Sequence, residues 1–549
     1  MLALVATASA PWWATIDPMK SLAGVYRTGV AALREGSEVL YDRDGKTASV
    51  SVTRTLGNIV TIRTNGKPDA SANLPPDGDR DWVMEDEVTM VLSAALPLAR
   101  NPGARDVAVI GFGSGMTTAA FLDVPTLRRV DTIEIEPAMI EGARHFMPLV
   151  RGAFEDPRAH SIVDDAKSYF AKAGRRYDII VSEPSNPWVA GVSSLFTEEF
   201  YRQAYRYLNP GGVLAQWIQA YEFDQRLLAS IVRAVLTVFP DATLYSTNGV
   251  DLILVATRGD AGPGDAARLF AHPAFAARLA SVGIESAADL DRRRIVGPAR
   301  IGILFAGIDA PPNSDFHPFV DVGASAARFK GSVAEETTTL VHAPVPVMDL
   351  IEGHGPPSAP PPLPPPTVGR LAERWADARI AHEYVVGRGF AQGTETPDVR
   401  SAESIVTARM ALVDCVSPAS ALAAWDAVVT LAGDFATLPA ADMDRFVETI
   451  ERSRCRASLP ESAADWMRLF RAIGRRDAAA AADAAAGLLA REDLTTVQRE
   501  FATFAATAGY LGSNRKELAR RTFDENDERL GPAARSSAWH RLLSNAVRP

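Results

Sequence analysis

Between residues 37 and 66 apolar and polar positions alternate. The run "TASVSVTRT" sets Val50 and Val52 on one face, and "NIVTIRTNG" does the same with Val60 or Ile59 and with Ile62. Gly45, Gly57 and Gly66 punctuate these runs, which predicts a meander of short antiparallel strands. "EDEVTMVLSAALPLA" then has a helical pattern, with breaks expected at Pro97 and Pro102.

From 106 to 257 the period changes. Short apolar strands ("VAVIG", "VDTIEIE", "SIV", "YDIIVS", "GVLAQWI", "DLILVAT") alternate with helical stretches such as "EPAMIEGARHF" and "TEEFYRQAYRYL". That alternation predicts an α/β, doubly wound, Rossmann-like parallel sheet with its site at the carboxyl ends of the strands. "GPPSAPPPLPPPTV", 355–368, predicts an extended linker, and the alanine- and arginine-rich remainder predicts helices throughout. The expected division is an apolar N-terminal segment, 1–36; a small β domain with a helix, 37–100; the α/β domain, 101–330; a proline-rich linker, 331–368; and an all-α domain, 369–549.

A chain of 549 residues exceeds what one core supports, in keeping with several domains. Its net charge of −10 argues against a nucleic-acid backbone as the main partner. Cys415 and Cys455 show neither metal spacing nor a disulfide framework, so helix packing is the expected role of each. The apolar start, "MLALVATASAPWW", is far short of the roughly 20 residues that span a bilayer. It is compatible with a buried strand, a signal remnant or the end of a membrane segment.

Three signals describe a nucleoside pocket. In "VAVIGFGSGMTTAAFL" Gly111, Gly113 and Gly115 form a strand–turn–helix in which backbone can approach a ligand closely. The spacing is G-x-G-x-G, unlike that of dinucleotide binders. Glu134 follows at roughly the 20-residue distance where an acid holds ribose hydroxyls, while Glu136, before Pro137, suits a helix N-terminus. Asp164 and Asp165 follow the third strand: one suits a helix cap, and Asp164 an adenine amino group. No pyrophosphate clamp accompanies them, so S-adenosylmethionine-type ligands fit better than NAD.

The fourth strand ends in "SEPSNPW". Glu183 there can hold a cation or take a proton from an attacking amine, which is no nucleophile until deprotonated. Asn186 offers an amide oxygen to the same amine, and Trp188 an aromatic wall or cation–π partner. A loop cap beside a packed tryptophan is the plainer alternative. Gln216 and Tyr221 join them as amine-binding candidates. Asp315, His317 and Asp321 suit a solvated turn better than a lid edge, and His145 and His160, placed in or beside helices, receive no role. No metal ligand set is found.

The run from about 37 to 257 resembles the spermidine/spermine synthase (aminopropyltransferase) family. The resemblance rests on "NGKPDAS", "LPLARNPGARDVAVIGFGSG", "VDTIEIEPAMIEGARHF", "VDDAKSYF" and "YDIIVSEPSNPW", in that order. It is nearest to the bacterial branch in which this domain is often fused to membrane segments. The resemblance implies a class I S-adenosylmethionine-type transferase that moves an aminopropyl group from decarboxylated S-adenosylmethionine to an amine. It places Gly111, Gly113, Gly115, Glu134 and Asp164 around the nucleoside. Glu183 takes the position of the proton-accepting aspartate, and Asn186 that of a second aspartate. It also implies a homo-oligomer in the cytoplasm, with association to the inner membrane face through the N-terminus as a further expectation. Two departures stand out: Ser114 replaces an aspartate of the glycine loop, and the family's "YHE"-like element is missing before it. Asp81, Glu85, Asp86 and Glu87 are candidates to compensate for the missing acids. Two other readings stay open, an S-adenosylmethionine-dependent methyltransferase and a non-catalytic nucleoside- or polyamine-binding module.

Overall fold

The computed structural model describes residues 17–548 apart from 26–28, 79, 81, 261, 263, 335–336, 338–339, 341–343, 364–369, 388–398, 416–420 and 456–458. Most of the apolar N-terminal segment, Asp81 and the end of the proline run therefore lie outside the described residues.

β1 (Glu38–Asp44), β2 (Ser49–Thr55), β3 (Ile59–Thr64) and β4 (Lys67–Asn73) pair in sequence order as an antiparallel meander. Val50, Val52, Val60 and Ile62 are fully buried, as the alternation requires. β3 and β4 are joined by Asn65 and Gly66, both at positive φ (50° and 78°). That is the mirror-image two-residue turn whose twist suits a hairpin.

The helix that follows, α1 (Glu85–Arg100), runs through Pro97 instead of stopping there. Its side chains are buried continuously from Glu87 to Leu98, and that packing outweighs one missing backbone hydrogen bond near the helix end.

The second sheet has the order β12-β10-β11-β9-β8-β5-β6-β7. β5 (Asp106–Ile110), β6 (Arg129–Glu134), β7 (Ala159–Val163), β8 (Tyr177–Ser182) and β9 (Leu208–Gln219) are parallel. β10 (Ala242–Ser246), β11 (Asp251–Thr257) and β12 (Arg294–Val296) are antiparallel to their neighbours, so the sheet is mixed and the wholly parallel expectation is corrected. Only residues 247–250 join β10 to β11, too few for a parallel crossover. His160 belongs to β7, not to a helix. Strand order reverses between β5 and β8, so the loops after these two strands open beside each other.

Each face of this sheet has its own apolar core. Val107, Val109, Ile179, Val181, Val213 and Ala215 pack with the meander, α1 and α2 (Met116–Leu122). Ala108, Ile110, Ile180, Leu214 and Ile218 belong to a cluster that continues into the C-terminal helices through Phe435, Trp466 and Phe501. Part of the stretch expected as linker is helical: Val347–Glu352 buries Val347 and Leu350 and packs on Thr496–Gly512. Cys415 and Cys455 form a disulfide, which corrects the packing role expected of them. The pair is 40 residues apart in sequence, a spacing that carries no recognisable signature. Among the described residues no helix is long and apolar enough to cross a membrane.

Candidate active site

The glycine turn and the end of β8 touch through their backbones. Gly111 has φ +94°, and a Cβ there would lie 2.5 Å from the carbonyl oxygen of Glu183. Gly115, at φ +85°, caps α2, and a Cβ on it would meet the Phe112 ring at 2.8 Å. Gly113, at φ +51°, has nothing within 4 Å of its absent Cβ. It is therefore the one glycine of the three that leaves room for a ligand. Ser114 is buried, and its Oγ donates to Met90 Sδ of α1 at 3.0 Å.

Glu134, the last residue of β6, is buried against this turn. Its carboxylate accepts from Phe112 N at 2.8 Å and from Glu136 N at 2.9 Å. Burial nevertheless holds its carboxyl above the ordinary range. Glu136 caps the helix Pro137–Ala143, accepting from Ala138 N, and also takes Thr47 N at 2.7 Å from the β1–β2 turn. Asp165 caps the helix Ala166–Ala173 through Ser168 N at 2.8 Å. Asp164 stands on the rim beyond β7 and pairs with Lys172 at 3.1 Å.

Glu183 accepts from Thr117 Oγ1 of α2 at 2.7 Å and, more loosely, from Ser93 Oγ of α1 at 3.3 Å. Burial, opposed by these two bonds and reinforced by the charges of Asp251 and Asp86, pushes its pKa up to about 7. Asp86 opens α1, and its pKa is likewise raised to about 7, first by burial and then by Asp251. Asp251 begins β11, 5% exposed; Thr89 Oγ1 and Asn248 Nδ2 donate to its Oδ2 at 3.0 Å each. Asp86, Thr89 and Ser93 follow an i, i+3, i+7 spacing, so one stripe of α1 faces the ends of β8 and β11.

Of the amine-binding candidates, Asn186 is fully buried, and neither of its amide atoms has a hydrogen-bond partner. Trp188 is partly buried, with the Arg328 guanidinium 4.3 Å and the Lys67 ammonium 5.9 Å from its ring centroid. Gln216 donates its amide N–H groups to the carbonyls of Ser182 (3.3 Å) and Trp217 (2.9 Å). Tyr221 forms a β-bridge with Val333. Gln219, which sequence reasoning missed, pairs in register with Asp251 and therefore shares its sheet face. It is fully buried with both amide atoms unpartnered. Asp251 was missed too, because it looks like an ordinary strand start. Of the acids considered as compensation, Glu87 is committed elsewhere: it pairs with Arg80 and accepts from Asn73 N and Met84 N. Asp315 and Asp321 are tied to Lys167 and Ser193. Among the described residues there is no group of side chains that could hold a metal ion.

Residues 89–249, which contain the glycine turn, Glu134 and Glu183 but not Asp86 or Asp251, match the Spermine/spermidine synthase domain. This stretch is thus similar to the spermine/spermidine synthase family. Over 154 residues the chain is 30% identical to a polyamine aminopropyltransferase of Moorella thermoacetica, covering 28% of this chain and 54% of that one. The corresponding enzyme of Bacillus subtilis is 30% identical over 155 residues, 28% of this chain and 56% of its own. That of Thermococcus onnurineus is 37% identical over 129 residues, 23% and 45% of the two chains. The chain thus spans about half the length of the curated relatives it matches. Among solved structures, a spermidine synthase from Thermotoga maritima aligns with a TM-score of 0.37 and 21% identity, over 43% of this chain and 78% of that one.

Proposed function

We propose that the synthase domain transfers an aminopropyl group from decarboxylated S-adenosylmethionine to an amine, with Glu183 as the proton acceptor. The supporting observation is the set of carboxylates at the strand ends. Asp86 and Asp251 raise the proton affinity of Glu183, and Asp251 raises that of Asp86, in a place where burial already disfavours charge. A cationic ligand relieves that repulsion, and both reactants of an aminopropyl transfer are cations. The two acids from α1 and β11 also answer the aspartate missing from the glycine loop and the element missing before it.

The nucleoside would lie over Gly113, with its ribose toward Glu134. The donor supplies a sulfonium-activated methylene carbon. The amine lone pair attacks that carbon, the C–S bond breaks, and its electron pair stays on sulfur as a neutral thioether. The proton lost from nitrogen passes to Glu183, whose pKa near 7 suits exchange with an amine at neutral pH. Asn186, buried with its amide unpartnered, is the candidate to align the attacking nitrogen.

Calorimetric titration with decarboxylated and intact S-adenosylmethionine, side by side, tests this. Tighter binding of the decarboxylated donor, with turnover on a diamine, is the expected result. Preference for the intact donor would overturn aminopropyl transfer in favour of methyl transfer. Binding without turnover that Glu183→Gln leaves unchanged would mark a non-catalytic module.

A further inference from the structure

Lys67 is a buried lysine that the transfer just described does not use. Its side chain is 3% exposed, and its ammonium bonds Asp69 Oδ1 at 2.6 Å and Ser185 Oγ at 2.8 Å. Ser185 Oγ in turn donates to the same Asp69 oxygen at 2.8 Å, closing a triangle of three side chains. Two of the three come from the small sheet, and the third sits between Glu183 and Asn186.

The sequence explains how the charges arrive there. The Asn65–Gly66 turn makes Lys67 the first residue of β4, paired with Thr64. The register then slips: Arg63 pairs with Pro68 and Ile62 with Ala70, leaving Asp69 as the extra residue of a bulge. Bulges re-aim side chains, and here both charges meet at the loop after β8. An ammonium this buried is costly unless it is paired and hydrogen-bonded, and the triangle supplies both conditions.

We propose that Lys67, Asp69 and Ser185 form a clasp by which the small sheet holds the Glu183–Trp188 loop in its working position, Lys67 being a positioning residue. Within the loop, Val189 N donates to Asn186 O at 2.9 Å, closing an internal turn. Lys67 also stands over the Trp188 ring, so the clasp restrains the loop at two points. Its importance for turnover rests on the proposed transfer; its importance for loop order does not.

Hydrogen exchange on the full chain tests the clasp. Lys67→Met removes it from the sheet side and Ser185→Ala from the loop side. Each is expected to speed exchange at Val189 N by about tenfold or more, the usual weight of a charge-assisted bond. The double variant should be no faster than Lys67→Met alone, with α2 amides unchanged. Exchange at Val189 within twofold of the parent in Ser185→Ala would overturn the proposal, and that variant decides the matter if Lys67→Met fails to fold. In turnover, Lys67→Met should lower kcat while leaving methylthioadenosine affinity within about threefold, and Lys67→Arg should restore part of kcat. An equal loss of both would mean general damage and overturn positioning. A parent enzyme without turnover on diamines would sink the transfer reading and leave the exchange result standing.

Discussion

The hydroxyl of Thr117 lies 2.7 Å from Oε2 of Glu183, so the helix that follows the glycine turn bonds the carboxylate at the end of β8. Glycine turn and proposed base are one unit, closed further by the Gly111–Glu183 backbone contact. Movement of one is felt by the other.

The proposed proton acceptor sets a pH limb. Glu183 works as a base only when ionised, and its pKa of about 7 lies well above the ordinary carboxylate value. The rate kcat/KM is expected to fall as pH drops through about 7, and Glu183→Gln should cost about 10²–10⁴ in kcat. A flat pH profile from 6 to 8, or near-parental kcat in the variant, would exclude the role.

Asp86 and Asp251 are expected to read the cationic acceptor. Asp86→Asn or Asp251→Asn should raise KM for a diamine by about tenfold, the weight of one charge-assisted contact, with methylthioadenosine affinity unchanged. Steady-state kinetics of the two variants decides this.

The same repulsion predicts a stability trend in the ligand-free protein. Asp86 and Glu183 have folded pKa values of about 7, above those of the unfolded chain. The stability they contribute is therefore fully present below about pH 4 and is lost as pH rises through about 7. Asp86→Asn combined with Glu183→Gln should raise Tm relative to the parent at about pH 8 and lose that advantage toward pH 5. Melting curves at the two pH values give the answer, and a constant difference would contradict the charge argument.

Two glycine variants should separate folding from binding. Gly111→Ala places a Cβ against the Glu183 carbonyl at an unfavourable φ, and should cost about 2–4 kcal/mol in denaturant melts. Gly113→Ala meets no protein atom, so it should cost only about 1 kcal/mol while lowering nucleoside affinity by tenfold or more. Equal stability losses would refute the distinction.

The Cys415–Cys455 bond closes a segment of about 40 residues. In the chain-entropy account such a loop is worth about 3–4 kcal/mol. Cys415→Ser with Cys455→Ser should lower the melting temperature without altering turnover.

Much of this was legible in the sequence. Alternation placed Val50, Val52 and Ile62 inside, and the glycine spacing located the turn between β5 and α2. Strand sense was not legible for "DLILVAT": a buried apolar run looks the same in either direction, and only the four-residue connection decides. Gln219 was passed over in the sequence for a related reason. Which face a strand residue presents depends on its partner's register, here Asp251, and one chain's periodicity does not contain that. Pro97 misled because local breaking was outweighed by long-range packing. The Lys67–Asp69 pair depends on a bulge, which leaves no clear signal in "NGKPDAS".

The last helix, Ala538–Val547, returns to the α/β domain. It packs on Ile301–Leu304, and Asn545 Nδ2 donates to Ala306 O at 2.9 Å. Arg476 reaches Asp349 from the helical side at 2.9 Å. The proline stretch is therefore a bypass around a junction already made elsewhere. A chain cut once within 355–363 would remain a single particle, and two fragments produced apart would have a surface on which to find each other.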